Sequence, residues 1–255
     1  MTWTLLAVVG LPVVAALLLL ALRREPVVPA ALASVSLAAV AALAAQQADA
    51  VPLMILGRSV GLSPLSAAGL GYCALLMAVV TLHAESPAVG AASRATMLAA
   101  MACFAAAVMV RNLTISGLLL TIGAVFTVIL VPSGRADLSL VGSRALSVVT
   151  LAVSLLLFAV RSLEMPGGLG RGGVQGGVVA VAVAVCLALA VFPFHVWVTP
   201  LYRRGSVQAV VMLGVVLGIV ALTFLRNLSQ AHAGEHMQQH LSTLKSNAGK
   251  ASAIN

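Results

Sequence analysis

Long apolar runs, broken by short clusters of Arg, Pro, Gly and acidic residues, organise this chain. Runs such as Val13–Leu22 and Val178–Val191 are continuously apolar. A membrane-spanning strand alternates apolar and polar positions, so continuous runs read as helices, each needing about 20 residues to cross a bilayer. Boundaries placed at charges, Pro and Gly predict eight spans, near residues 3–22, 27–45, 62–83, 95–110, 113–131, 145–161, 174–194 and 206–225. The pieces between are short. Residues 46–61 form a connecting loop whose apolar stretch is too short to span, Arg111–Asn112 is a tight turn, and 162–173 is a Gly-rich loop. Residues 1–225 make the bundle and 226–255 a polar tail, with a surface helix expected over Ala231–Leu244 and disorder beyond it. The expected fold class is therefore all-α, a polytopic transmembrane helical bundle.

Composition sharpens this reading. Only 8% of residues are charged against 62% hydrophobic, where a soluble domain carries about 25% charged residues. Such a chain cannot cover a globular surface with polar groups, so lipid is the solvent for most of its length. The net charge of +8 would suit nucleic acid in a soluble protein. Here the arginines fall at span ends, where they snorkel and set topology, and no basic run interleaves with aromatics. Nucleic acid is excluded as a partner and the lipid bilayer takes its place. Arg23 and Arg24 follow the first apolar run, the reverse of a cleavable signal, so the first segment reads as a retained span. Arg23, Arg24, Arg94, Arg135, Arg144, Arg203 and Arg204 lie on one side of the predicted topology, and Arg58, Arg111, Arg161, Arg171 and Arg226 on the other. That excess places the N-terminus outside.

The densest local pattern is Phe192-Pro193-Phe194-His195-Val196-Trp197-Val198-Thr199-Pro200-Leu201-Tyr202. A Pro near a span end removes a backbone donor and kinks the helix. His195 then lies near the membrane boundary, where an imidazole titrates near neutral pH. Trp197 and Tyr202 suit an interfacial belt. Two further patterns are Leu56-Gly57-Arg58-Ser59-Val60-Gly61-Leu62-Ser63 and the Asn112-Leu113 turn. Together the three resemble the antiporter-like subunits of respiratory complex I and of Mrp-type cation/proton antiporters. In that family the seventh span ends in a P-F-H-x-W pattern, a G-L-D segment opens the third span, and an S-x-N-L turn leads into the fifth. Ser63 stands at the Asp position, and the Asp after the Trp is missing. The resemblance covers roughly Val51–Leu225. It implies the fold of the first half of such a subunit, neighbouring membrane subunits as partners, and an energy-coupling membrane, here the bacterial inner membrane. The departures bear on activity. The family's Glu in the fifth span has no counterpart in Leu118–Gly123, and its Lys in the seventh falls at Ala188. Proton carriage needs buried ionisable groups with movable pKa values. The family normally has about fourteen spans, and two inverted repeats lie among them.

No acid falls mid-span, and Arg111 is the charge held in the tightest turn, which with His195 makes it an ion-path candidate. Pro193, Trp197 and Tyr202 are candidates for kink and interface. The glycines of 168–173 fit a dinucleotide fingerprint literally but lack the strand that motif needs, so they read as a flexible loop. His232, His236 and His240 recur at helical spacing but no carboxylate shares their face, so no metal is expected. Cys73, Cys103 and Cys186 have no paired spacing and read as small apolar residues. No cofactor or catalytic constellation is found, and the isolated chain is not expected to be an enzyme. Small residues at Ala38, Ala41, Ala42, Ala44 and Ala45 and at Gly214 and Gly218 suit close helix packing.

The leading expectation is a scaffolding subunit of an energy-converting assembly. One alternative is a stand-alone transporter or channel whose cavity is lined by Thr114, Ser116, Thr121, Thr127, Ser147, Thr150 and Ser154. A second is a haem- or pigment-associated subunit using His83 and His195 as axial ligands.

Overall fold

The computed structural model describes residues 2–22, 28–47, 53–55, 58–83, 90–110, 112–130, 136–164, 170–188, 199, 202 and 206–226. In chain order the helices are α1 (Thr2–Ala21), α2 (Val28–Gln46), α3 (Pro64–His83), α4 (Ala91–Met109), α5 (Leu113–Ile129), α6 (Ala136–Glu164), α7 (Gly170–Ala188) and α8 (Val207–Arg226). Six of them, α1 to α4, α6 and α8, are long and apolar enough to cross a membrane. The 17 residues of α5 make a rod of about 26 Å, shorter than a hydrocarbon core of about 30 Å. The chain is an α-helical integral membrane protein, and its outer surface shows why. Leu17, Val35, Leu75, Phe158 and Leu222 are each more than half exposed. A soluble protein seldom exposes contiguous apolar patches of this extent, whereas lipid wets them without cost.

Several helix boundaries move outward from charge-based expectation. Helix α4 begins at Ala91 and takes Arg94 into its first turn, and α6 begins at Ala136 with Asp137 in its first turn. A charge ends the apolar part of a helix, not the helix, and a carboxylate near an N-terminus is favoured by the dipole. Helix α7 begins at Gly170, so part of the expected glycine loop is helical. Glycine weakens a helix interior by about 1 kcal/mol, and packing of α7 on α6 opposes that cost. The expected loop 46–61 also gains structure. Two short antiparallel strands, β1 (Leu53–Ile55) and β2 (Arg58–Val60), pair Leu53 with Val60 and Ile55 with Arg58. Val60 bridges to Val110, and Gly61 N–H donates to the Met109 carbonyl at 3.0 Å, taking up one of the free acceptors at the end of α4.

Contacts near the helix ends fix the up-and-down order. Gln47 Nε2 donates to Thr4 Oγ1 at 2.6 Å, so α1 and α2 run antiparallel. Thr81 Oγ1 approaches Met97 Sδ at 3.5 Å, joining the end of α3 to the start of α4. Ser116 Oγ donates to the Ala107 carbonyl at 2.5 Å across the α4–α5 turn. Gly69 of α3 faces Ile219 and Thr223 of α8, so those two helices are antiparallel as well. One end of the bundle therefore gathers the C-terminal ends of α1 and α3 with the N-terminal ends of α2, α4 and α8. The interior is a stripe from each helix, such as Ala33, Leu37, Val40 and Ala44 of α2 and Met97, Leu98, Met101 and Phe104 of α4.

Candidate functional site

Two of the three motifs that carry the family resemblance are helix starts with a local physical role. Ser63 precedes Pro64 at the first position of α3, and its Oγ accepts from Ser66 N–H at 3.2 Å and contacts Ser66 Oγ at 2.7 Å. Serine as cap followed by proline satisfies orphan amides and presets the helical φ. Asn112 caps α5, its Oδ1 accepting from Ile115 N–H at 3.0 Å. Ser206 caps α8 in the same way, accepting from Ala209 N–H at 3.2 Å.

The third motif leads into α8. His195, Pro193, Trp197 and Arg111 lie outside the described residues, as do the Ala231–Leu244 segment and the tail histidines. Tyr202 is exposed, and its hydroxyl rests over Gly214, in space that any β-carbon there would occupy. Gly214 sits in a π-helical turn, Met212–Val216, in the middle of α8. A π-turn carries one residue in excess and re-aims the side chains that follow it. The expected packing role of Gly214 is thus met within the chain, by Tyr202. On α2 the small residues behave differently from expectation. Ala44 is buried and Ala41 half-buried, but Ala38, Ala42 and Ala45 face outward.

Two buried polar groups stand out at the shared end of α3, α4 and α8. Gln208, in the first turn of α8, is 1% exposed, and neither of its amide atoms has a hydrogen-bond partner among the described residues. Arg94, in the first turn of α4, is 6% exposed with its Nε equally unpartnered. A buried polar group left without a partner costs about 1–3 kcal/mol, more when charged. In the sequence Arg94 reads as a topology-setting loop charge, and Gln208 has no charge to mark it. A signal was present: Arg94 is in phase with the apolar stripe Met97, Leu98 and Met101, and Gln208 with Met212.

The expected solute lining does not converge on one cavity. Thr121, Thr127, Ser147 and Ser154 each donate to the carbonyl four residues earlier. Ser147, Thr150 and Ser154 lie on the outer face of α6, while Ser116 and Thr127 are buried. The cleft between α5, α6, α7 and α8 is walled by Leu120, Val153, Leu156, Leu217 and Phe224, all apolar. In the stretch where the family carries its fifth-span Glu, the Phe104 ring presses on Gly123. Asp137 and Glu164, one near each end of α6, are the only acids among the described residues. His83 is exposed, and its Nδ1 lies 2.9 Å from the Val79 carbonyl. Cys73 is buried, Cys103 and Cys186 are half-buried, and all three are free thiols. Among the described residues no three His, Cys, Asp or Glu side chains are grouped as metal ligands would be. No protein-family model and no curated protein matches the sequence.

Proposed function

We propose that the protein is a membrane-embedded scaffolding subunit of an energy-converting multisubunit complex, built like the first half of an antiporter-like subunit. In this reading the chain crosses the bacterial inner membrane eight times with its N-terminus outside. It packs against other membrane subunits and carries no proton path of its own. The observation that supports it most is the chemistry of the span interiors. Among the described residues, no acid and no lysine stands between the membrane-crossing faces, and most of the hydroxyls there are turned onto their own backbones. A proton relay needs ionisable groups at membrane depth, and these spans offer apolar packing instead. The test is proton flux into proteoliposomes under an imposed potential. The purified protein is expected to conduct no faster than empty vesicles, and potential-driven acidification well above that level would overturn the reading.

A further inference from the structure

Helix α8 holds one residue more than its turns need. The Leu217 amide donates to the Met212 carbonyl, five residues back, which makes the π-turn Met212–Val216. Before that turn the spacing is α-helical, with Val210 N–H donating to the Ser206 carbonyl four residues back. The part after the turn is pinned, because Ile219 and Thr223 lie against Gly69 of α3 and Val220 and Phe224 are buried. The part before it carries Gln208, 1% exposed, with neither amide atom partnered among the described residues. Its neighbours differ sharply, Val207 being 62% exposed and Ala209 0%. Turns of this π type are rare and cluster at functional sites, and irregular helix spacing of this kind marks hinges.

Release of the surplus residue has a definite geometric outcome. One residue of α-helix is about 1.5 Å of rise and about 100° of turn. With the C-terminal part held on α3, the N-terminal part moves by that one step away from it. Ala209 then takes the place of Gln208, Gln208 that of Val207, and Val210 that of Ala209. The gain is at Gln208, whose amide leaves an interior without partners for an exposed position. The 20 residues of α8 match a hydrocarbon core of about 30 Å, so this first turn lies at the membrane surface. Other effects oppose the step. Val210 crowds a place that now holds a fully buried alanine. Ser206 Oγ loses the Ala209 amide from which it accepts at 3.2 Å. The Tyr202 hydroxyl, seated where a β-carbon of Gly214 would be, loses the π-turn on which it rests. Gain and costs are each single side-chain effects, so they oppose one another at comparable scale.

We propose that α8 is a two-register helix. Its π-turn stores one residue, and release of that residue slides the N-terminal part by one position against the fixed C-terminal part. The slide carries the Gln208 amide from the bundle interior to its surface, and Tyr202 over Gly214 is the latch that holds the interior register. Small helix shifts between two packed arrangements are a common form of molecular switch.

The experiment times the labelling of single cysteines by a water-soluble maleimide in mild detergent, with Cys73, Cys103 and Cys186 replaced by alanine. Gln208→Cys reports the slide and Thr223→Cys, beyond the π-turn, reports general loosening. A minor register populated at about 0.1–10% slows labelling of Gln208→Cys by that fraction relative to the unfolded chain. Deletion of Val215 removes the surplus residue and fixes position 208 inside, so labelling there is expected to fall at least about fivefold. Tyr202→Ala, which frees the latch, and Val210→Ala, which lets that residue fit the place of Ala209, are each expected to raise it at least about fivefold. Thr223→Cys is expected to label equally slowly in every background. A rate at Gln208→Cys that the deletion leaves unchanged overturns the proposal, as does a rise matched by an equal rise at Thr223→Cys. Should the deletion variant not fold, the substitutions decide. An unchanged rate in Val210→Ala then overturns the slide, and an unchanged rate in Tyr202→Ala overturns the latch.

Discussion

At the scale of single residues, small and polar side chains decide how closely the helices approach. A β-carbon at Gly123 would lie 2.6 and 2.7 Å from Phe104 ring atoms and 3.3 Å from Cys103 Cβ. Phe104 is fully buried, so it has nowhere to retreat. Gly123→Ala is therefore expected to destabilise by about 1–3 kcal/mol, the usual range for overpacking. Denaturant unfolding in mixed micelles measures this, and Phe104→Leu in the same background should restore most of the loss. Gln208 predicts the opposite sign. Its amide is buried and unpartnered among the described residues, so Gln208→Leu removes a desolvated group without breaking a bond. Stability should hold or rise by about 1 kcal/mol. A fall in midpoint would show that the amide is paired in the folded protein. Neither effect was predicted from composition. Gly123 reads in sequence as one more small residue of an apolar span, and the Phe104 ring that needs its missing side chain comes from another helix. Gln208 was visible as a polar residue in phase with Met212, yet its burial depends on α3 packing beside it.

At the scale of elements, the helices among the described residues were legible from continuous apolar runs, and six of them are long and apolar enough to cross a membrane, because length and apolarity are properties of the segment itself. The ends were less legible. Arg94 and Asp137 read as loop markers in the sequence, yet both sit within first turns, since a helix continues past the edge of its apolar part. The hairpin of β1 and β2 was read as loop, because three-residue strands give too short a pattern and their docking at Val110 comes from a distant helix. The π-turn in α8 was also hidden, since one inserted residue leaves no mark on composition. Its contact with Tyr202 is testable by a double-mutant cycle. Gly214→Ala is expected to lower the thermal midpoint by displacing the tyrosine ring, and Tyr202→Ala to abolish that sensitivity. Additive effects would mean that Tyr202 does not rest on Gly214 in the folded protein.

At the scale of the whole molecule, leucines and valines face outward around an interior of apolar stripes and small residues. Among the polar groups it buries, Arg94 and Gln208 lie in the first turns of α4 and α8, at the same end of the bundle. The spans were readable in the sequence because lipid imposes a simple rule on them. Function was not, because the residues that resemble the antiporter-like family are in part helix caps such as Ser63 and Asn112, whose chemistry serves any helix. The decisive measurement is therefore assembly. Affinity-tagged protein expressed at native level and extracted in a mild detergent should migrate on a native gel with other membrane subunits and with electron-transfer activity in the same band. Recovery as a monomer, free of other subunits and of redox cofactors under the same extraction, would contradict the account.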